Sequence, residues 1–172
     1  MSETLSIFSY GSNLSMARLS ARVPSARFVA KGYLSHHELK WHKHGRDGSG
    51  KCDAFHTGDE NHQLWGGVFD IAREDKHLLD KAEGLGVGYD EKTALIACDH
   101  GAHEATLYIA LQISHEISPF SWYKDFVVAG ALECDLPSFY IAQLLAVTAD
   151  VDRDTAREEL NRAILSGGAF TP

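Results

Sequence analysis

The sequence predicts an α+β fold, and three observations predict it. Strand patterns fill the first two-thirds of the chain, helical patterns fill the last third, and the regular alternation of a doubly wound sheet is missing. At 172 residues, with 44% hydrophobic and 23% charged positions, the chain reads as one globular domain spanning residues 1–172. A chain of this size buries roughly 70% of its unfolded surface, enough for a core of its own.

The elements follow in order. Leu5 to Tyr10 reads as a short buried strand. Leu14, Ala17, Leu19 and Ala21, set among Arg18 and Arg22, predict a brief helix that stops near Pro24. From Ala26 to Lys43, alternation such as Phe28, Ala30 and Leu39, Trp41 predicts strands. The segment HGRDGSGK (44–51) is the strongest loop signal in the chain. Cys52 to Thr57 and Gln63 to Ile71 read as strands joined by the polar turn Gly58 to His62. Arg73 to Glu83 is helical, with Leu78, Leu79 and Ala82 on one side and Gly84 as its stop. Strands Lys92–Cys98 and His103–Ile113 join around Asp99-His100-Gly101. Three helices complete the chain: Ser121–Glu133, Pro137–Val147 and Asp152–Leu165. Pro137 suits a first turn, Asp152 or Asp154 a cap, and Gly167-Gly168 an end.

Charge narrows the function classes. The net charge of −8 is uneven: residues 1–50 carry seven Lys/Arg against three Asp/Glu, and residues 51–172 carry nine against twenty-one. An acidic protein with no concentrated basic face is a poor partner for nucleic acid. The positive N-terminal end suits a small anionic ligand or is simply solvated. The acidic stretch Asp150 to Glu159 reads as a solvated face. No signal peptide or membrane span is visible, which points to the cytosol and no membrane partner. Cys52, Cys98 and Cys134 are too few and too widely spaced for a disulfide framework, so they read as reduced, structural thiols.

Three short stretches carry chemical potential. Tyr10-Gly11-Ser12-Asn13 ends the first strand where a helix begins, and backbone N–H groups at a helix N-terminus hold anions. Ser12 or Asn13 as an ordinary cap is the plainer alternative. Glu83 occupies the last turn of its helix, where the macrodipole disfavours an anion, beside apolar Leu85 and Val87 and glycines at 84, 86 and 88. Such a carboxylate suits a general base, and a solvated glutamate before a glycine stop is the alternative. Tyr123 opens a helix and either presents its hydroxyl to a pocket or packs in the core.

Other chemistries find little support. His36, His37, His42, His44, Cys52, His56 and His62 crowd one region, with His42 and His44 the best chelating pair. None sits in a metal-binding spacing, so exposed strand and loop histidines are the preferred reading and no metal is assigned. There is no G-x-S-x-G elbow, P-loop or dinucleotide fingerprint, and GLGVG (84–88) lacks the strand–turn–helix setting it would need.

Together these signals resemble the γ-glutamylcyclotransferase family. The resemblance lies in YGSN (10–13) followed by a helix with Arg18-Leu19 and then RVPSA (22–26). It continues in LWGGVFDI (64–71) leading through a helix into LDKAEGLGVGY (79–89), and in SWYKDFVVAGALECDLPSFYIAQL (121–144). It spans about residues 7 to 147, and YGSN sets it apart from the glutathione-specific branch. The resemblance implies a compact α+β fold on a small mixed β-barrel with packed helices, releasing 5-oxoproline from γ-glutamyl amines with no cofactor. It implies that Tyr10, Gly11, Ser12 and Asn13 hold the γ-glutamyl group, that Glu83 is the catalytic acid/base, and that Tyr89 and Tyr123 line the pocket. The implied partner is a small γ-glutamyl molecule. The leaving amine stays open, as does oligomeric state, a homodimer included. Two other readings stay open as well: a same-fold enzyme acting on a γ-glutamyl natural product or polyamine, and a non-catalytic binding module.

Overall fold

A computed structural model describes residues 3–167, so Gly168, half of the expected terminal glycine pair, lies outside the described residues. Seven strands and five helices follow one another as β1 (Thr4–Ser9), α1 (Met16–Arg22), β2 (Arg27–Ser35), β3 (His37–His44), β4 (Gly50–His56), β5 (Gln63–Ala72), α2 (Lys76–Glu83), β6 (Tyr89–Cys98), β7 (Gly101–Ala110), α3 (Ser121–Glu133), α4 (Ser138–Leu145) and α5 (Thr155–Leu165). Short 3₁₀ turns at Ser12–Leu14 and Arg73–Asp75 precede α1 and α2.

Five strands close into a barrel in the order β1-β5-β2-β6-β7. Four of its seams are antiparallel. The fifth, between β7 and β1, is parallel and rests on the pairing of Ile7 with Thr106. The mixed barrel and its packed helices are the predicted architecture. Ile7, Phe8, Val68, Phe69, Ile71, Ile96 and Leu107 of the barrel strands are all buried, and because Ile7 adjoins Phe8 and Val68 adjoins Phe69, both faces of β1 and β5 are covered there.

The remaining strands, β3 and β4, form a separate antiparallel hairpin in which Lys43 pairs with Lys51. HGRDGSGK is therefore a hairpin turn, and β4 begins at Gly50 rather than Cys52. The hairpin is bolted to the chain after β7. The His44 N–H donates to the Gln112 carbonyl at 2.9 Å, the Ser114 N–H to His42 at 2.7 Å and the Gly50 N–H to Ser118 at 2.8 Å. Asp53 adds a side-chain anchor, accepting from the Ala110 N–H at 2.8 Å.

The helical tail covers one end of the barrel. Trp122, Phe126, Val127 and Ala131 of α3 are buried, and α3 packs on the 3₁₀ turn that carries fully buried Leu14. The loop before α5 departs from its expected solvated character. Asp154 is the helix cap, accepting from the Arg157 N–H at 3.0 Å, whereas the Asp152 side chain is wholly buried. It accepts from the Trp122 indole at 2.9 Å and from two nitrogens of Arg157 at 2.6 and 2.7 Å. Among the described residues no helix is long and apolar enough to cross a membrane.

Candidate active site

The residues singled out in the sequence come together at one end of the barrel. Tyr10, Gly11, Ser12, Asn13, Glu83, Tyr89 and Tyr123 line one small cavity of about 40 Å³, together with Cys52 and Tyr108. It adjoins a wider cleft of about 360 Å³ that shares Ser12, Glu83, Tyr89 and Tyr123 with it.

The turn at Gly11 has a different construction from the expected helix start. Ser12 to Leu14 form a 3₁₀ turn, and α1 begins only at Met16 with Ser15 as its cap, whose hydroxyl accepts from the Arg18 N–H. Neither Ser12 nor Asn13 caps the helix. The turn's own hydrogen bonds run from the Leu14 N–H to Gly11 and from the Ser15 N–H to Ser12, leaving the N–H groups of Gly11, Ser12 and Asn13 outside that pattern. Gly11 is small for a steric reason: a Cβ there would stand 3.0 Å from the Cys52 Cβ and 3.3 Å from the Tyr123 hydroxyl.

Glu83 is the last residue of α2, and Gly84 takes the left-handed conformation that ends the helix, at φ 69°. Its setting differs from the apolar one expected, since Val87 is exposed. The Asn13 amide donates to Glu83 Oε1 at 2.7 Å, and Arg22 Nη1 approaches the same oxygen at 3.3 Å. Arg22 also donates to the Asn13 carboxamide oxygen at 2.8 Å, closing a triangle. The Glu83 side chain is 13% exposed. Its Oε2 accepts from nothing among the described residues, which leaves lone pairs for a ligand.

The three tyrosines are held by main chain. Tyr89 donates to the Cys52 carbonyl at 2.8 Å, and Tyr123 accepts from the Cys52 N–H at 3.0 Å. Tyr10 donates to the Tyr108 carbonyl, and the Tyr108 hydroxyl donates to Asp80 at 2.7 Å. Burial first, and nearby acidic groups second, push the Tyr10 and Tyr89 phenols well above their usual range. Tyr123 moves the same way for the same first cause. All three remain protonated at neutral pH. Burial likewise raises the Cys52 thiol, so it is no nucleophile.

Arg22, Lys43, Arg46, Cys52 and Tyr108 escaped the sequence reading as site residues. The one signal for the cations was the positive balance of residues 1–50, which contain Arg18, Arg22, Lys43 and Arg46. The histidines disperse. His42 contacts Asp53 at 2.8 Å, His44 lines the outer cleft, and His37 lies 2.7 Å from Lys92 Nζ. Among the described residues no group of three His, Cys, Asp or Glu is arranged to hold a metal ion.

Known proteins resemble this chain in sequence and in fold. The AIG2-like family matches residues 63–144. Human γ-glutamylcyclotransferase is 27% identical over 98% of this chain and 92% of its own length. The mouse protein of the same name is 28% identical over 96% of this chain and 90% of its own. The chain is similar to γ-glutamylcyclotransferases along nearly its whole length. A solved structure of a γ-glutamyl cyclotransferase shares this fold, with a TM-score of 0.82 and 24% identity, over 96% of this chain and 100% of that one.

Proposed function

We propose that this chain is a γ-glutamylcyclotransferase that converts γ-glutamyl amino acids or amines to 5-oxoproline and a free amine. The observation that carries the reading is the Glu83 carboxylate, hydrogen-bonded to Asn13 of the YGSN turn with its second oxygen free, in one cavity with three neutral phenols.

The substrate is a single small molecule, and its own α-amine is the nucleophile. Its nitrogen lone pair attacks the γ-carbonyl carbon, the new C–N bond closes a five-membered ring, and the carbonyl electrons move onto oxygen. Collapse of that oxyanion breaks the old amide C–N bond. Because nucleophile and electrophile share one chain, the site mainly has to fold that chain, and the entropic cost of bringing two molecules together is avoided.

The N–H groups of Gly11, Ser12 and Asn13 are the donors for the substrate's α-carboxylate and the developing oxyanion. Glu83 Oε2 relays two protons in turn, one taken from the α-ammonium to free its lone pair before attack and one taken from the ring nitrogen after it; both end on the leaving nitrogen, which departs as an ammonium and not as an amide anion. An α-ammonium titrates near ~8 and an ordinary glutamate near ~4.3, a gap of roughly 3.5 units or about 5 kcal/mol. That cost falls on the first proton only, because attack on the carbonyl makes the ring nitrogen far more acidic and its second proton is lost readily.

The three cysteines are free thiols, which supports a reducing compartment, and we assign the protein to the cytosol. The direct test is 5-oxoproline release from a panel of γ-glutamyl dipeptides, glutathione and γ-glutamyl amines, by wild type and Glu83→Gln. Turnover that is abolished by this isosteric change is the expected result. Turnover that survives it removes Glu83 from the mechanism, and a folded wild type inert toward the whole panel returns the chain to a binding role.

A further inference from the structure

We propose that the outer cleft is a leaving-group subsite for a dicarboxylate, so that preferred substrates are γ-glutamyl compounds whose leaving amine carries two carboxylates. The proposal rests on the cyclotransferase reading and adds the identity of the group that leaves; the chemical step is the cyclisation already described.

The cleft is lined by five strong cations, Arg18, Arg22, Lys43, Arg46 and Lys51, against two carboxylates, Asp47 and Glu83. Both carboxylates are already engaged. Asp47 pairs with Lys51 at 2.8 Å, and Glu83 with Arg22 at 3.3 Å. Among the described residues Arg18, Lys43 and Arg46 have no carboxylate within 4.0 Å. Arg18 lies over the Phe126 ring at 4.6 Å and donates to Asn161 at 2.9 Å, while its Nε is buried without a partner.

Lys43 is the informative residue. It is 7% exposed, yet its ammonium makes no hydrogen bond among the described residues and sits 4.7 Å from the centre of the Tyr89 ring. Burial lowers its pKa, against the opposing pull of the Glu83 carboxylate, which lies beyond ion-pair distance. The unsatisfied charge faces the cleft where a leaving group has to lie.

The glycines of the loop after Glu83 lie beside these cations. A Cβ on Gly88 would stand 3.0 Å from Lys43 Nζ, and one on Gly84 would stand 3.4 Å from Arg46 Nη2. Gly84 needs its left-handed conformation in any case. Gly88 has no positive φ, and the space a Cβ would take there is bounded by the Lys43 ammonium and by the Glu83 carbonyl at 3.3 Å.

Charge then sets the class. The γ-glutamyl half carries one ammonium and one carboxylate, is neutral overall, and sets its carboxylate on the N–H groups of the turn. Arg18 is held by Asn161 and the Phe126 ring, so a leaving group with two carboxylates answers the two cations that remain, Lys43 and Arg46. One carboxylate leaves a cation unmatched, a neutral amine leaves both, and a polyamine adds repulsion.

The test is steady-state release of 5-oxoproline from γ-glutamyl-glutamate, γ-glutamyl-alanine, γ-glutamyl-methylamide and γ-glutamyl-putrescine. We expect kcat/KM to fall in that order, about tenfold for each carboxylate removed, chiefly through KM. Lys43→Gln and Arg46→Gln should each shrink the glutamate-to-methylamide ratio about tenfold, and Lys43→Arg should restore most of it. Arg46 is exposed, so its variant reads the subsite even where Lys43→Gln folds poorly. A glutamyl leaving group no better than alanyl, or a ratio that survives both substitutions, overturns the proposal. Should wild type turn over none of the four, the cyclotransferase reading fails by itself. Calorimetric binding of γ-glutamyl-glutamate against the methylamide then decides the subsite: preference for the dicarboxylate, lost in Arg46→Gln, upholds it, and equal binding overturns it.

Discussion

The carboxamide of Asn13 donates to the carboxylate of Glu83 at 2.7 Å, joining two positions 70 residues apart in sequence. The carboxamide cannot be turned over without loss, because its oxygen accepts from Arg22 at 2.8 Å while its nitrogen serves Glu83. Arg22 therefore fixes Asn13, and Asn13 fixes the base. Replacing Asn13 by Asp sets a second carboxylate against Glu83 and removes the donor. We expect Asn13→Asp to lower kcat about 100-fold, and Asn13→Ala about 10-fold, with the fold retained. Stopped 5-oxoproline assays beside circular dichroism check both.

Gly11→Ala tests the steric basis of the turn. The added methyl meets the Cys52 Cβ at 3.0 Å and the Tyr123 hydroxyl at 3.3 Å, and neither atom is the free end of a flexible chain. Overpacking of this kind costs about 1–3 kcal/mol. The expected outcome is a lower Tm with activity falling further than stability, since the displaced atoms form the cavity wall. A variant with wild-type Tm and turnover would show that the turn has slack.

Acid stability should depend on Asp152. Its hydrogen bonds from Arg157 first, and from Trp122 and the Asp154 N–H, hold its carboxyl well below the usual carboxylate range. A pKa lower in the folded than in the unfolded state gives stability that is present above the unfolded value of about 3.9 and is lost as pH falls through the folded one. Asp152→Ala removes the anion and leaves the buried Trp122 indole unpaired. A loss of about 2 kcal/mol at pH 7 is expected, fading in acid, by urea unfolding at both pH values.

Lys43 should trade stability against specificity. Burial lowers its pKa below the usual 10.5, so the unfolded chain binds the extra proton more readily, and stability rises with pH through the window between the folded and unfolded values. Lys43→Met should therefore stabilise the fold by about 1 kcal/mol at neutral pH, seen as a higher Tm. In the wild type the cation itself disappears as pH climbs through the folded pKa. Preference for carboxylate-bearing leaving groups should weaken on that alkaline side, read as a rise in KM for γ-glutamyl-glutamate and not for the methylamide.

Much of this was legible in sequence, for reasons that particular residues make clear. Alternation and apolar runs marked the barrel strands because each has one face in the core, and Gly84 marked the end of α2 because its left-handed φ suits glycine. The start of α1 was misplaced because Ser12, Asn13 and Ser15 are all good caps, and packing of Leu14 on α3 chooses among them. Barrel closure rests on a single parallel pairing between Ile7 and Thr106, which leaves no local trace. Arg22, Lys43 and Arg46 were invisible as a group because α1, β3 and a hairpin turn supply one each, and only the folded chain gathers them around the cleft. Asp152 looked like one more surface acid until Trp122 and Arg157 closed over it.

The attachment of Tyr89 and Tyr123 to the main chain of one residue has a mechanical meaning. The Cys52 carbonyl holds one phenol and its N–H holds the other, and Cys52 rides on the hairpin, outside the barrel sheet. Both attachments use main-chain atoms, so neither depends on the Cys52 thiol. A tilt of the hairpin drags both rings at once. The hairpin that carries the outer cations is thus also the lever for the inner wall, and whatever presses on its turn is transmitted to both phenols in a single stroke.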